Sequence, residues 1–170
     1  MVSLQIGVFG GSSATDEKLL TMAEEVRKLI AQHKATLFCG NVSGVLGAAF
    51  KGAKSAGGTT VCIAPSDHKE GNLKDTDVYI ASSLNWFSRG PSLVNSLDGI
   101  LVIGGGVGTF TELAYAWWQE IPLVILKTGE LTDDYIGKTF DKRKNHPILG
   151  AFTPKEAVDL LFEQISKKKV

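Results

Sequence analysis

The sequence has little of what several classes of protein require. Only two cysteines occur among 170 residues, Cys39 and Cys62, and each lies inside an apolar run. They predict two buried thiols in a reducing compartment and no disulfide framework. The three histidines are scattered, with no cysteine or histidine at ligand spacing, so we expect no metal site. The 18 basic side chains are balanced by 18 acidic ones, which argues against the basic face that nucleic-acid binding needs.

Long apolar runs and a leader segment are also missing. No apolar stretch approaches the roughly 20 residues that cross a bilayer. The first residues lack the charged region and the cleavage site of a signal peptide. We therefore expect a cytoplasmic protein without a membrane partner. The length and the ordinary apolar content predict a single domain over residues 1–170.

What the sequence does contain is a regular alternation of short apolar runs and helical patterns. Strands are predicted at 4–9, 35–39, 59–64, 78–80 (an edge strand), 99–103 and 123–126, and helices at about 19–30, 45–55, 91–97, 113–118 and 154–165. The stretch 128–150 is expected to be irregular or partly helical, with no element assigned to it. Apolar strands separated by helices predict a parallel sheet covered on both faces. The expected fold class is α/β, a single-domain, Rossmann-like, doubly wound sheet.

The densest signal is the run Gly104-Gly105-Gly106-Val107-Gly108-Thr109 between a strand and a helix. Glycines there leave main-chain N–H groups free and let a ligand approach the backbone, which predicts a phosphate site. The run lacks the lysine of a P-loop and the spacing of a dinucleotide fingerprint. Glu112 follows, placed on the first helical turn. A carboxylate beside a sugar phosphate can position water or stabilise an oxocarbenium ion.

Two further turns and one arginine are expected at the same edge of the sheet, because ligands of this architecture bind at the carboxyl ends of the strands. The turns follow the first and second strands. Arg89, just ahead of a short helix, returns to this edge and can pair with phosphate, ribose hydroxyls or Glu112. The candidate binding residues are Gly10, Gly11, Ser12, Ser43, Gly44, Gly105, Gly106, Val107, Gly108 and Thr109.

Several of these segments together resemble the LOG-like proteins, once mislabelled possible lysine decarboxylases. The matching segments are Val8-Phe9-Gly10-Gly11-Ser12-Ser13, Gly44-Val45-Leu46-Gly47, Ala56-Gly57-Gly58, Ile63-Ala64-Pro65 and Gly105-Gly106-Val107-Gly108-Thr109-Phe110-Thr111-Glu112. The family motif is Pro-Gly-Gly-x-Gly-Thr-x-x-Glu with an arginine upstream, a position that Arg89 fills. LOG-like enzymes are phosphoribohydrolases, which cut the N-glycosidic bond of nucleoside 5′-monophosphates, including cytokinin forms.

The resemblance implies a role for each matched position. Arg89 and Glu112 would form the catalytic pair, and Gly105, Gly106, Gly108 and Thr109 would hold the phosphate. It also implies a homodimer or higher homo-oligomer with the site near the subunit interface. No lysine lies in a Schiff-base context, so lysine decarboxylation is not expected.

Three positions depart from the family pattern, and these departures bear on catalysis more than on phosphate binding. Gly104 replaces the proline, Gly40-Asn41 replaces a glycine pair, and Gly90 stands where plant-type enzymes have lysine. The Gly-Gly-Gly form, the loop from Pro65-Ser66-Asp67 to Asn72 and the short chain look closer to a sister group that includes the molybdenum cofactor carrier proteins, which bind a phosphorylated pterin and need not turn it over. Three functions therefore stay open: a phosphoribohydrolase without a cofactor, a carrier with molybdenum cofactor as its cargo, and a nucleotide sensor without chemistry.

Overall fold

A computed structural model of the chain describes residues 3–11, 16–40, 44–67, 69 and 73–168, with the backbone alone described at 44–49. The strands are β1 Gln5–Gly10, β2 Thr36–Cys39, β3 Thr60–Ala64, β4 Val78–Ala81, β5 Gly99–Ile103, β6 Leu123–Leu126 and β7 Leu149–Ala151. The helices are α1 Glu17–Gln32, α2 Gly44–Ser55, α3 Trp86–Asn95, α4 Val107–Trp118 and α5 Pro154–Lys168, with a 3₁₀ turn at Leu131–Tyr135.

All seven strands pair in parallel in one sheet, in the order β4-β3-β2-β1-β5-β6-β7. The chain builds outward from β1 to the edge strand β4 and then crosses back to place β5 on the other side of β1. The strand order therefore reverses between β1 and β5, where Gly10 pairs with Ile103 at the carboxyl ends. This arrangement confirms the predicted doubly wound fold, whose ligand sites open at such a reversal.

Helices cover both faces of the sheet, which explains the near-continuous apolar strands. Val124 and Leu126 belong to the core cluster on the face covered by α1, α2 and α5, whereas Leu123 and Ile125 belong to the cluster on the face covered by α3 and α4. All five residues of β5 are buried. Cys39 and Cys62 are register partners on β2 and β3, buried and not joined by a disulfide, as predicted.

Two helices begin earlier than the sequence predicts. The α3 helix begins at Trp86 and not at Pro91, because Asn85 caps it: its side-chain oxygen accepts from the Ser88 N–H at 2.8 Å. The α4 helix begins at Val107 and not at 113, so part of the glycine-rich run is its first turn. Pro91 lies inside α3, and glycines lie at the start of α4, although both residue types disfavour helices.

In the carboxyl-terminal third, the predicted cap of α5 is confirmed, and one strand is present that the sequence did not predict. Thr153 caps α5, accepting from the Glu156 N–H at 3.2 Å, while the Glu156 carboxylate accepts from the Phe152 N–H at 2.8 Å. The omitted element is β7, three residues long and centred on Gly150. A Cβ at Gly150 would lie 2.4 Å from the Ile136 side chain, so glycine lets the preceding segment pack on the strand.

The helices in the part of the chain that the structure describes are short or partly polar. None of its helices combines the length and the apolar character needed to span a membrane. The one-domain organisation over 1–170 and the cytoplasmic location stay predictions.

Candidate functional site

A cavity of about 290 Å³ opens at the carboxyl edge of the sheet, beside the reversal of strand order. We call it the polar cavity. Its lining residues come from the ends of β1, β2 and β5 and from α3 and α4: Phe9, Gly10, Gly11, Gly40, Trp86, Arg89, Gly106, Gly108, Thr109 and Glu112. The turns after the first, second and fifth strands thus meet at one place, as the topology predicts.

The glycine loop 104–106 holds the backbone in a shape that other residues rarely adopt. Gly104 has a φ of 59° and Gly105 a φ of 111°. A Cβ at Gly105 would also lie 2.4 Å from Thr109 Oγ1. Gly106 is the N-cap of α4 and faces open space, since no atom lies within 4 Å of the position of its missing Cβ. Because these residues have no side chains, the loop leaves space for a ligand next to the backbone in the polar cavity.

The amino end of α4 presents free main-chain donors. No side chain caps the helix at Gly106, and the first helical bond runs from the Phe110 N–H to the Gly106 carbonyl at 3.0 Å. The amides of Val107, Gly108 and Thr109 find no acceptor among the described residues. Free amides and the positive end of the helix dipole favour an anion at this point.

Arg89 is buried in the wall of the polar cavity with donors unused. It is the fourth residue of α3, inside the helix and not ahead of it, and is 1% exposed. Its guanidinium lies against Gly40, where a Cβ would sit 1.8 Å from Nη1, and its Cζ lies 4.9 Å from the ring centroid of Trp86. Nε and Nη1 donate to no described residue. A buried cation with free donors is costly unless a ligand completes it.

Glu112 faces Arg89 across the same cavity. It lies in the second turn of α4, not the first turn as predicted, because the helix begins at Val107. Oε1 is 3.2 Å from Arg89 Nη1, in an ion pair that leaves Nη1 without a hydrogen bond. Burial raises the pKa of Glu112 to about 7, and this loss of hydration outweighs the lowering by Arg89. Such a carboxyl group can gain or lose a proton near neutral pH.

A second cavity of about 260 Å³ adjoins the first and is more apolar. We call it the aromatic cavity. Its lining residues are Trp86, Phe87, Gly90, Pro91, Gly108, Thr111, Glu112 and Tyr115. Trp86, Gly108 and Glu112 line both cavities. Glu112 thus stands between a polar chamber and an aromatic one, the position expected for a group acting on the bond between a sugar phosphate and a base.

The structure brings most of the predicted site residues together. Those lining the polar cavity are Gly10, Gly11, Arg89, Gly106, Gly108, Thr109 and Glu112. Gly105 shapes the loop, Val107 is 71% exposed, and Gly44 is the first residue of α2. Ser12 and Ser43 lie outside the described residues.

Three members of the lining were not predicted from the sequence: Phe9, Gly40 and Trp86. Gly40 had a signal, a glycine directly after the second strand. Trp86 had none, because its place depends on how α3 packs over the sheet.

A larger cavity, about 370 Å³, lies where α4 ends and α5 passes, and its lining includes Trp117, Glu120, His146 and Lys168. No buried polar side chain without a partner lines it, within the described ranges. The described residues also hold no group of three or more metal-ligating side chains. The unused buried donors point to the polar cavity as the site.

Comparison with known proteins places the chain in a family. It matches the SLOG cluster4 family over residues 3–158. The chain belongs to the SLOG cluster4 family. A curated relative from Mycobacterium tuberculosis, a cytokinin riboside 5′-monophosphate phosphoribohydrolase, is 33% identical over 141 residues, which cover 81% of this chain and 66% of that protein. The LOG-like resemblance is therefore confirmed.

Two solved structures are similar over nearly the whole chain. The molybdenum cofactor binding protein of Rippkaea orientalis has a TM-score of 0.85 and 30% identity, covering 97% of this chain and 99% of that one. The molybdenum cofactor carrier protein of Chlamydomonas reinhardtii has a TM-score of 0.83 and 29% identity, with the same coverage. The relatives thus include one protein named as a phosphoribohydrolase and two named for molybdenum cofactor.

Proposed function

We propose that this protein binds a nucleoside 5′-monophosphate and hydrolyses its N-glycosidic bond to release base and ribose 5-phosphate. The observation that carries the proposal is Arg89, buried in the polar cavity with two unused donor atoms beside Glu112. The mycobacterial relative, named for this reaction class, supports it.

In this proposal the phosphate occupies the polar cavity. The free amides of Val107, Gly108 and Thr109 donate to phosphate oxygens at the positive end of α4. The guanidinium of Arg89 supplies the charge-assisted bonds that its free Nε and Nη1 can make. The loop glycines Gly10, Gly11 and Gly106 allow the ligand to approach the main chain.

Glu112 would act on the glycosidic carbon from the boundary of the two cavities. As a carboxylate it stabilises the positive charge that develops on the ribose ring and accepts a proton from water. The water oxygen forms a bond to the ribose C1′ while the bond from C1′ to the base nitrogen breaks, and its electron pair leaves with the base. The proton passes from Glu112, directly or through solvent, to the base nitrogen, so the reaction balances as a hydrolysis.

The ionised form of Glu112 is the active one in this mechanism. Because the pKa of Glu112 is about 7 in the protein, kcat/KM should rise with pH through neutrality and level off above it. A pH–rate profile on AMP measures this. A flat profile between pH 5.5 and 8.5 would contradict the role of Glu112 as base.

The direct test is turnover of a panel of monophosphates. The purified protein is incubated with AMP, GMP, CMP, UMP and an N6-prenylated AMP, and free base is measured by chromatography. Glu112→Gln should slow release by about 100-fold or more while leaving ligand affinity nearly unchanged. The matched control is Glu120→Gln, an exposed glutamate after α4 that lines neither cavity. No release from any substrate by the folded wild type would overturn the hydrolase proposal.

The second candidate is a carrier for a phosphorylated pterin, molybdenum cofactor. The specific observation that favours it is similarity at 29–30% identity over 97% of the chain to two proteins named for that cofactor. The same cavity would hold the pterin phosphate without bond cleavage. The carrier predicts that bound cofactor is protected from loss and that Glu112→Gln leaves this protection intact. No resident cofactor belongs to either proposal.

A homodimer or higher homo-oligomer is part of the proposal, on the family resemblance. Phe87, which lines the aromatic cavity, is 61% exposed, so a second copy of the chain would give this apolar surface a cover. Sedimentation velocity measures the state. A lone 18.2 kDa species at micromolar concentration would contradict it.

A further inference from the structure

Trp86 lies at the junction of the two cavities, beside Arg89 and Gly108. It is the first residue of α3, is 36% exposed, and lines the polar and the aromatic cavity. The face of its ring lies over Arg89, with the guanidinium carbon 4.9 Å from the ring centroid. Its Nε1 lies 3.0 Å from the position that a Cβ of Gly108 would take. The indole nitrogen is therefore beside the amino end of α4.

The indole N–H of Trp86 is a donor without an acceptor among the described residues. The indole N–H of Trp117, by contrast, has an acceptor: its Nε1 donates to the His146 carbonyl at 2.8 Å. An indole nitrogen can donate but never accept, and in proteins it usually finds a partner. The ring face of Trp86 contacts the Arg89 guanidinium, whereas the ring edge that carries the N–H has no acceptor among the described residues.

The neighbours of this N–H select the chemistry of what it can bind. The free amides of Val107, Gly108 and Thr109 and the buried cation Arg89 surround the same space with donors and positive charge. A group that fits among so many donors must accept several hydrogen bonds at once, and an anionic phosphate does so best.

On the basis of the function proposed above, we propose that Trp86 is an anion-binding residue whose indole N–H donates a hydrogen bond to the phosphate held between Arg89 and the amino end of α4. Gly108 is then required for a second reason. A side chain at 108 would press on the indole nitrogen and turn the N–H away from the cavity.

The test replaces the donor and keeps the ring. Trp86→Phe retains an aromatic face over Arg89 but has no N–H. The matched control is Trp118→Phe: Trp118 is 38% exposed and has the guanidinium carbon of Arg143 at 4.7 Å from its ring centroid, yet it lines neither cavity. Calorimetry with inorganic phosphate and with adenosine measures affinity for each part of the ligand.

We expect Trp86→Phe to weaken phosphate binding by about tenfold, the value of one hydrogen bond to a charged acceptor, and to leave adenosine affinity unchanged. Trp118→Phe should change neither. Trp86→His, which keeps a ring N–H, should recover part of the phosphate affinity. The pH midpoint of Glu112 should stay in place in Trp86→Phe, because the ring still covers the ion pair.

Other outcomes are decisive against the proposal. Equal phosphate affinity in wild type and Trp86→Phe removes the role of the N–H. Loss of phosphate and adenosine binding together, or a displaced Glu112 midpoint, assigns Trp86 to stacking or to the support of Arg89. If the wild type itself does not bind phosphate, the proposed function fails first, and the two failures are thereby told apart.

Discussion

At Arg89 and Glu112, two opposite charges are buried side by side and neither is fully satisfied. Their 3.2 Å contact offsets only part of the cost of removing both groups from water, as the raised pKa of Glu112 shows. Gly40 and Trp86 hold the guanidinium in place from two sides. Such an arrangement stabilises the fold poorly and suits a ligand that brings its own negative charge.

The burial of Glu112 gives a prediction for stability against pH. In the unfolded chain its pKa returns to about 4.5, whereas in the folded protein it is about 7. Between these values the folded state holds a proton that the unfolded state has lost, so the free energy of unfolding falls as pH rises through this window. Relative to Glu112→Gln, the wild type should lose at most about 3 kcal/mol between pH 4.5 and pH 8. Urea unfolding at both pH values measures the difference.

Glu120→Gln provides the comparison for that experiment. Its carboxylate is exposed and its pKa is lowered by Lys144, so this variant should not reproduce the trend. A difference between wild type and Glu112→Gln that stays constant across the pH range would show that folding does not raise the pKa of Glu112.

Two glycines of the polar cavity should respond differently to alanine. A methyl group at Gly40 would overlap the Arg89 guanidinium, at 1.8 Å from Nη1, whereas a methyl at Gly106 meets open space. Gly40→Ala should therefore displace Arg89 and lower the stability of the free protein by about 1–3 kcal/mol. Gly106→Ala should cost about 1 kcal/mol or less, the loss of a good N-cap, yet weaken phosphate binding because the methyl occupies ligand space.

Urea unfolding and phosphate calorimetry on both variants check this contrast. Equal stability losses in the two variants would mean that Arg89 is not held against Gly40.

The residues of the site were predictable where they lie in sequence motifs. Glu112 and the loop glycines form a continuous run, and Arg89 is recognised through the family pattern. Trp86 was not predictable, because nothing along the chain shows that the start of α3 lies against Gly108. Its role depends on the packing of two elements that are far apart in sequence.

At the scale of elements, the bounds were accurate where strong breakers flank an apolar run. β5 and β6 match the prediction residue for residue, bordered by glycine at 99 and 104 and by Pro122. The start of α3 was wrong because Pro91 is tolerated inside a helix that Asn85 caps. The predicted start of α4 was wrong because the glycines were taken as a loop, whereas Gly106 is the N-cap and Gly108 lies in the first helical turn.

The cap of α5 allows a stability prediction that is separate from function. Thr153→Ala removes the hydroxyl that accepts from the Glu156 N–H and should lower the free energy of unfolding by about 1 kcal/mol. Thr153→Ser keeps the hydroxyl and should restore most of it. Both variants should bind phosphate like the wild type, since Thr153 lines neither cavity. An unchanged midpoint of urea unfolding in Thr153→Ala would show that this cap contributes nothing.

At the scale of the whole molecule, the parallel sheet and its reversal at β1 and β5 determine where a ligand can bind. Three strand ends and the amino end of α4 converge on one cavity, and the topology predicted this convergence from the turns alone. In both proposed functions the ligand phosphate would bind in this cavity. The two proposals differ in what Glu112 would do next, and relatives named for each of the two functions match this chain.

The central claim is that Arg89 and the amino end of α4 hold the phosphate of a small metabolite. The most direct measurement is a crystal structure of Glu112→Gln with AMP at saturating concentration. The phosphate oxygens should lie within hydrogen-bond distance of Arg89 Nε or Nη1 and of the amides of 107–109. An empty polar cavity under those conditions, or AMP bound with its phosphate at any other place, would contradict the account.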